Sequence, residues 1–180
     1  MAELTVLSKN DKTLLEMGLR APLAVVRVAG VIDEDINFSV VAGMLKELGP
    51  SVQGIRFDLG EVTRMNSCGV REWLLLLERL PQAMKIIFSA VPEHFIEQAN
   101  MIPNVFGRKT NHVETFFAPY HCSTCGRDQS CMLEPAGVTF SPTGDVLKAP
   151  ALKCEKCGGI LAFDWVEEEY FAFLKRVSHE

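Results

Sequence analysis

The sequence has no long apolar run and no secretory signal, and both absences bear on where the protein works. Its apolar runs, such as Trp73 to Leu77, are far shorter than the roughly 18 residues that a membrane-spanning helix needs. The start, Met-Ala-Glu-Leu, lacks the positively charged and apolar regions of a secretory signal. We therefore expect a soluble cytoplasmic protein without membrane insertion, in a reducing compartment where disulfides are rare.

Positive charge and aromatic side chains are also scarce. Lys and Arg number 18 against 23 Asp and Glu, so the formal net charge is −5 and the isoelectric point is near 5.4. A protein that binds nucleic acid by neutralising many phosphates needs a basic surface, so we expect no nucleic-acid partner. With 48% hydrophobic and 8% aromatic residues, the composition is that of a globular protein with a packed core.

Apolar runs with strand and helix periodicity alternate over the first two thirds of the chain. Short β-branched runs bounded by turn residues predict strands, while apolar residues three and four apart predict helices. The predicted elements are strands at 23–32, 55–59, 84–90 and 112–117, and helices at 36–48, at 70–80 and from 92. This alternation predicts an α/β or α+β layer fold over residues 1–118.

The texture changes after residue 118, where five of the six cysteines and several turn signals occur. We predict a second module over residues 119–180, closed by a helix from Val166 to Val177 that packs back onto the first domain. The apolar residues expected to form its thin core are Ile160, Leu161, Phe163 and Trp165. A core this small predicts a module that needs a metal to fold.

The second module contains the motif Cys-x-x-Cys-Gly twice. The copies are 28 residues apart and comprise Cys122, Cys125 and Gly126, then Cys154, Cys157 and Gly158. The two-residue gap lets both sulfurs of a pair bind one ion, and the glycine accepts the left-handed backbone that closes the turn. Four thiolates suit tetrahedral Zn²⁺ in a structural site, with iron as the chemical rival and four unrelated cysteines as the alternative. His121 and Cys131 are spare donors that we expect to be bystanders.

Two resemblances follow from these motifs. The paired cysteine motifs resemble the zinc ribbon family over roughly Tyr120 to Trp165. The segments Val28-Ala-Gly-Val-Ile-Asp33, Ile55-Arg-Phe-Asp-Leu59 and Met65-Asn-Ser-Cys-Gly-Val70 resemble the STAS domain of anti-sigma-factor antagonists over roughly residues 20–118. Together they predict an α/β protein with a STAS-like mixed sheet and packed helices, followed by a zinc ribbon with a closing helix.

The STAS resemblance implies a role for the turn before the second helix. In that family the turn usually contains Asp-Ser-Ser/Thr-Gly, and a partner kinase that is also the anti-sigma factor phosphorylates the first serine, which matches Ser67. Here Asn66 replaces the family's Asp and Cys68 replaces its second hydroxyl residue. Asn66, Ser67, Cys68 and Gly69 are therefore the predicted partner contacts. From the residues alone, Asn66 or Ser67 is also a good helix N-cap.

Three functions remain open from the sequence. The first is a non-enzymatic regulatory module that binds a protein partner around Ser67, with phosphorylation as the switch. The second is a constitutive STAS adaptor in a multiprotein complex. The third is a thiol enzyme that uses Cys68 as its nucleophile, although the chain shows no triad, phosphate-loop or paired-carboxylate signature. The leucine-rich second helix is either deeply buried or offers an apolar face, which permits a homodimer.

Overall fold

A six-stranded mixed sheet forms the centre of the first part of the chain. The computed structural model describes residues 4–141 and 147–177. The strands of this first sheet are β1 (Thr5–Lys9), β2 (Thr13–Arg20), β3 (Leu23–Ile32), β4 (Gly54–Met65), β5 (Lys85–Ser89) and β6 (His112–Val113). They lie in the order β1-β2-β3-β4-β5-β6, with the first three antiparallel to one another and the rest parallel.

Helices supply the crossovers that the parallel strands need. They are α1 (Ser39–Leu48), α2 (Ser67–Arg79) and α3 (Glu93–Met101), which follow β3, β4 and β5 respectively. A short 3₁₀ turn at Gly49–Ser51 follows α1 and ends the helix. The predicted α/β class with a mixed sheet is confirmed.

Strand β4 is more than twice as long as the predicted strand at 55–59. It runs from Gly54 to Met65 because it pairs with β3 along most of its length, across two register shifts. Residues 60–65, which fall outside the strand predicted at 55–59, therefore belong to the strand. The extra residues carry the chain to the carboxyl end of β3, so that α2 begins directly beside Ile32.

The core of the first part is built around α2. Trp73 is fully buried and its indole N–H donates to the Val105 carbonyl at 2.8 Å. Its ring lies 5.1–5.7 Å from the rings of Phe38, Phe57 and Phe95, in edge-on arrangements that aromatic pairs favour. In the leucine-rich middle of this helix, Leu74 and Leu75 are half-buried, while Leu76 and Leu77 are buried.

A second, antiparallel sheet follows. Its strands are β7 (Phe116–Cys122), β8 (Arg127–Leu133), β11 (Leu152–Lys153) and β12 (Ile160–Phe163), in the order β11-β12-β7-β8. Strands β9 (Thr139–Phe140) and β10 (Leu147–Lys148), which lie between β8 and β11 in the sequence, pair with each other in a separate two-stranded sheet. The single strand predicted at 112–117 is wrong, since β6 completes the first sheet and β7 begins the second. Residue 118, the predicted domain boundary, lies inside β7.

The closing segment packs back against the first part, as predicted. It is not one continuous helix: α4 (Glu167–Tyr170) is a single turn, and a 3₁₀ helix spans Phe171–Arg176. The Asn100 amide on α3 donates to the Tyr170 carbonyl at 2.9 Å, and the Phe173 ring lies 5.7 Å from that of Phe106. These aromatic residues, which are buried, therefore join the two sheets through a shared core.

The predicted core of the second module needs correction. Ile160 and Trp165 are 72% and 51% exposed, because both lie on outward-facing positions. Leu161 is buried and Phe163 packs on Tyr120 and Phe171.

Among the described residues, no helix is long and apolar enough to span a membrane.

Candidate functional site

The four paired cysteines meet at one end of the second sheet. Cys122 ends β7 and Cys125 lies in the turn before β8, so the first pair closes one hairpin. Cys154 directly follows β11 and Cys157 precedes β12, so the second pair closes the other. Because β7 and β12 are antiparallel neighbours, with Leu161 opposite Cys122, both hairpin turns face the same point.

The sulfur geometry fits one tetrahedral ion. All four Sγ atoms lie within 4.8 Å of one another. The Cys122–Cys157 and Cys125–Cys154 sulfur pairs are 3.5 Å and 3.8 Å apart, and none of the four is in a disulfide. Sulfurs placed about 2.3 Å from a central ion would form a tetrahedron with edges of about 3.8 Å. The cluster can therefore hold a metal ion with all four protein ligands in place.

The backbone of each turn favours the thiolate form of the first cysteine of its pair. Gly126 and Gly158 adopt φ values of +65° and +72°, as their motif predicts, and their N–H groups donate at 2.8 Å to the carbonyls of Cys122 and Cys154. The backbone N–H of Cys125 lowers the pKa of the Cys122 thiol to about 6, against the opposing effect of burial. The second turn repeats this, so each hairpin offers one thiol biased toward the thiolate.

The two turns also contact each other directly through Gly159. A Cβ atom at this position would lie 2.5 Å from the Thr124 hydroxyl and 3.3 Å from the Cys157 sulfur. Only a glycine lets the two turns approach this closely. Sequence reasoning missed this contact, because the glycine signal it used was the turn-closing residue of each motif.

The two spare donors are not part of the cluster. His121 faces outward, and its Nδ1 lies 2.7 Å from an Asp128 carboxylate oxygen. Cys131 is half-buried on β8, and burial raises the pKa of its thiol. Within the described ranges, 4–141 and 147–177, the only group of metal-binding side chains is the set of four paired cysteines.

The second candidate site is the turn that begins α2. The backbone places Ser67 and Cys68 at the exposed first positions of the helix, with Asn66 half-buried before them. Gly69 is buried instead, because a Cβ there would lie only 2.0 Å from the Ile32 carbonyl oxygen. Three of the four predicted contact residues thus reach the surface, whereas Gly69 is a packing residue of α2 against β3.

Asn66 uses both ends of its amide. Its Oδ1 accepts from the Gly69 N–H at 2.7 Å, which makes it the N-cap of α2. Its Nδ2 donates to a Glu34 carboxylate oxygen at 3.1 Å, and this hydrogen bond lowers the pKa of Glu34. An aspartate could cap the helix equally well but could not donate to Glu34. The asparagine is therefore matched to the acidic segment beside it.

We expect Asn66→Asp to lower the melting temperature at neutral pH, because it places two carboxylates against each other. The folded-state pKa of Glu34 lies below its ordinary value. Its contact therefore stabilises the protein above pH 4–5, roughly the ordinary Glu range, and is lost as the pH falls through the folded value. The defect should accordingly shrink in acid and disappear in Asn66→Asp combined with Glu34→Gln, as measured by thermal unfolding against pH. A defect of equal size in the double variant would contradict this account.

Comparison with known proteins does not assign this chain. No protein-family model matches it, and a search of curated proteins finds no match. The function proposed below is therefore argued from the residues and their geometry.

Proposed function

We propose that this protein is a non-enzymatic regulator that binds a protein partner through the start of α2, as STAS-like anti-sigma-factor antagonists do. The observation that carries the proposal is an exposed serine, Ser67, at the first turn of a helix that a rigid sheet positions. The half-buried Asn66 and the exposed Cys68 would complete the contact surface.

The sheet topology supports this proposal. Three antiparallel strands lead into parallel strands joined by helices, and the motif-bearing turn connects the central strand β4 to α2. Helix α2 is anchored by Trp73 in the core, so its first turn has a fixed position. A rigid scaffold that presents an exposed turn is a common way to build a recognition surface.

Phosphorylation of Ser67 would change this surface strongly. A phosphate adds nearly two negative charges at the helix N-terminus, where the helix dipole and free N–H groups favour an anion. Glu34 is held beside the turn by Asn66, so the added charge would enlarge an existing acidic patch. A partner that packs closely against the turn would have to desolvate that charge, and binding would weaken.

The proposed switch predicts different partner binding by two variants of one residue. Ser67→Asp should reduce capture of the native partner at least about tenfold, since burying an unpaired charge costs well over 1.4 kcal/mol, whereas Ser67→Ala should bind like the wild type. The measurement is affinity capture from the native host with quantitative mass spectrometry. Ser39→Asp is a matched control, because Ser39 is the exposed first residue of α1.

Each outcome of this capture experiment has a definite meaning. A partner lost with Ser67→Asp and retained with Ser39→Asp supports the switch. Equal capture by Ser67→Asp and Ser67→Ala would refute the switch and favour a constitutive adaptor. Loss of the partner with Ser39→Asp as well would show that added charge weakens binding at more than one place. This result would contradict a docking surface at the turn.

We further propose that the four-cysteine cluster is a structural zinc site in a zinc ribbon. Two hairpins that share one set of four thiolates support this reading, because no ligand position is left open for a substrate. Zinc bound in this way gives no visible colour, whereas iron on four thiolates absorbs strongly. Metal analysis and an absorption spectrum of protein purified without oxygen distinguish the two.

A further inference from the structure

An apolar groove lies at the opposite end of α2 from Ser67. It has a volume of about 650 Å³ and is bounded by the C-terminal ends of α1 and α2, the residues just before β4 and the loop before β5. Seven of its eleven lining residues are apolar, among them Leu45, Val52 and Met84. Helix α2 has 13 residues and is therefore about 20 Å long, so the groove is separate from the turn around Ser67.

The groove wall is fixed by hydrogen bonds outside the groove itself. The Arg108 guanidinium donates to the carbonyls of Pro81 and Met84 at 3.2 Å and 3.4 Å, and also to the Gln82 carbonyl. The Met84 N–H donates to the Pro81 carbonyl at 3.0 Å. These hydrogen bonds fix the conformation of the loop before β5, so the apolar cleft is preformed. Its volume lies in the range that small-molecule ligands occupy.

Two positive side chains line the groove and no carboxylate does. They are Lys46 and Arg79, both exposed, and in the part of the chain that the structure describes neither forms an ion pair or hydrogen bond. Each lies in the last turn of its helix, where the helix dipole contributes about half a negative charge. The exposed neighbours Glu47 and Glu78 add two negative charges nearby, which disfavours a doubly charged phosphate head and leaves a singly charged head as the better match.

We propose that this groove binds a small amphipathic carboxylate, with its single acyl chain on the apolar wall and its carboxylate between Lys46 and Arg79. The local charge balance favours a monoanionic head over a phosphate ester, and the apolar wall favours an alkyl chain over a sugar or nucleotide. This site is independent of the partner surface proposed above, since it shares no residue with the turn at Ser67.

The test is calorimetric titration of the full-length protein with octanoate, decanoate and dodecanoate, with decanol as the uncharged control. Affinity should rise about fourfold for each CH₂ that enters the groove. Decanoate should bind at least about tenfold more tightly than decanol, because charge-assisted hydrogen bonds hold its head. In ¹H–¹⁵N spectra, the shifted resonances should be confined to residues 42–53 and 79–84.

Two variants test the two halves of the proposal. Lys46→Gln with Arg79→Gln should remove the preference for decanoate over decanol, whereas Lys9→Gln with Arg20→Gln, an exposed pair on the first hairpin, should keep it. Ala83→Trp, at an exposed groove position, should fill the groove and reduce binding of both ligands.

Several results would overturn the proposal. If dodecanoate shows no saturable binding up to about 1 mM, the groove is not a ligand site, since a dissociation constant of this order is the weakest that would be useful. Equal binding of decanoate and decanol to the wild type would refute the carboxylate class. Resonance shifts on addition of an acidic peptide, with none on addition of dodecanoate, would assign the groove to the binding of a protein segment instead.

Discussion

Replacing Cys154 with serine is expected to abolish stoichiometric metal binding and to unfold the two cysteine hairpins. The variant removes one of four thiolates from a cluster whose sulfurs all lie within 4.8 Å of one another. A hydroxyl oxygen is a poor ligand for an ion that prefers sulfur, and three remaining thiolates would leave an open, charged site. Metal analysis should give one zinc per wild-type chain and none for the variant after dialysis against a chelator.

The expected effect is large because a zinc ion bound by these four cysteines would supply much of the stability of this region. Structural zinc contributes about 10–16 kcal/mol of binding free energy in small zinc domains at pH 7, which is comparable to the whole stability of an ordinary domain. Strands β11 and β12 have only two and four residues, and Ile160 on β12 is largely exposed. Apolar burial therefore contributes little to the hairpin ends that carry the cysteines, so loss of the ion should unfold them and lower the melting temperature.

A matched control separates metal loss from a general effect of removing a cysteine. Cys131 is half-buried on β8 and lies outside the cluster, so Cys131→Ser should retain one zinc per chain. Thermal unfolding of the two variants should differ, with a strongly lowered melting temperature in Cys154→Ser alone. Full zinc occupancy in Cys154→Ser, or equal zinc loss in Cys131→Ser, would rule out the four-cysteine assignment.

The four-cysteine cluster could be predicted from the sequence because the motifs that form it are local. Each Cys-x-x-Cys-Gly motif determines its own turn, and a chain with two such turns can bring them together at one ion. The α2 turn is local in the same way: Asn66 or Ser67 is the predicted cap, and Asn66 forms the capping hydrogen bond with Gly69. Features of this kind need only the chemistry of three or four consecutive residues.

Other features depend on partners distant in sequence and could not be predicted in this way. In β2 the alternate side chains of Thr13, Leu15 and Met17 point toward the core. The sequence has no apolar run there that would predict a hairpin of β1 and β2. The length of β4 follows from pairing with β3. The closing segment changes from an α-helix to a 3₁₀ helix at Phe171, and Phe173 packs against Phe106 and Phe116. These outcomes are set by tertiary packing, which overrides local preference.

Gly69 illustrates how a residue named for a local motif can have a packing role that the motif does not show. Its place beside Ser67 suggested a partner contact, yet it is buried and faces the end of β3. A Cβ atom there would lie 2.0 Å from the Ile32 carbonyl oxygen and 3.0 Å from the Asp33 nitrogen. Both are backbone atoms, so neither can rotate away. The Ile32 carbonyl also accepts the Asn66 N–H at 3.2 Å, so this contact fixes where α2 begins.

Gly69→Ala is therefore expected to lower the free energy of unfolding by about 3 kcal/mol, at the upper end of the usual cost of overpacking. Gly43→Ala in α1 is the matched control, because its Cβ would have no atom within 4 Å. There alanine should stabilise the protein by about 0.5–1 kcal/mol through helix propensity. Urea unfolding should thus shift in opposite directions for one chemical change in two helices. A stabilising effect at both positions would mean that α2 does not rest on the Ile32 carbonyl, and Gly69 would then return as a candidate for the partner surface.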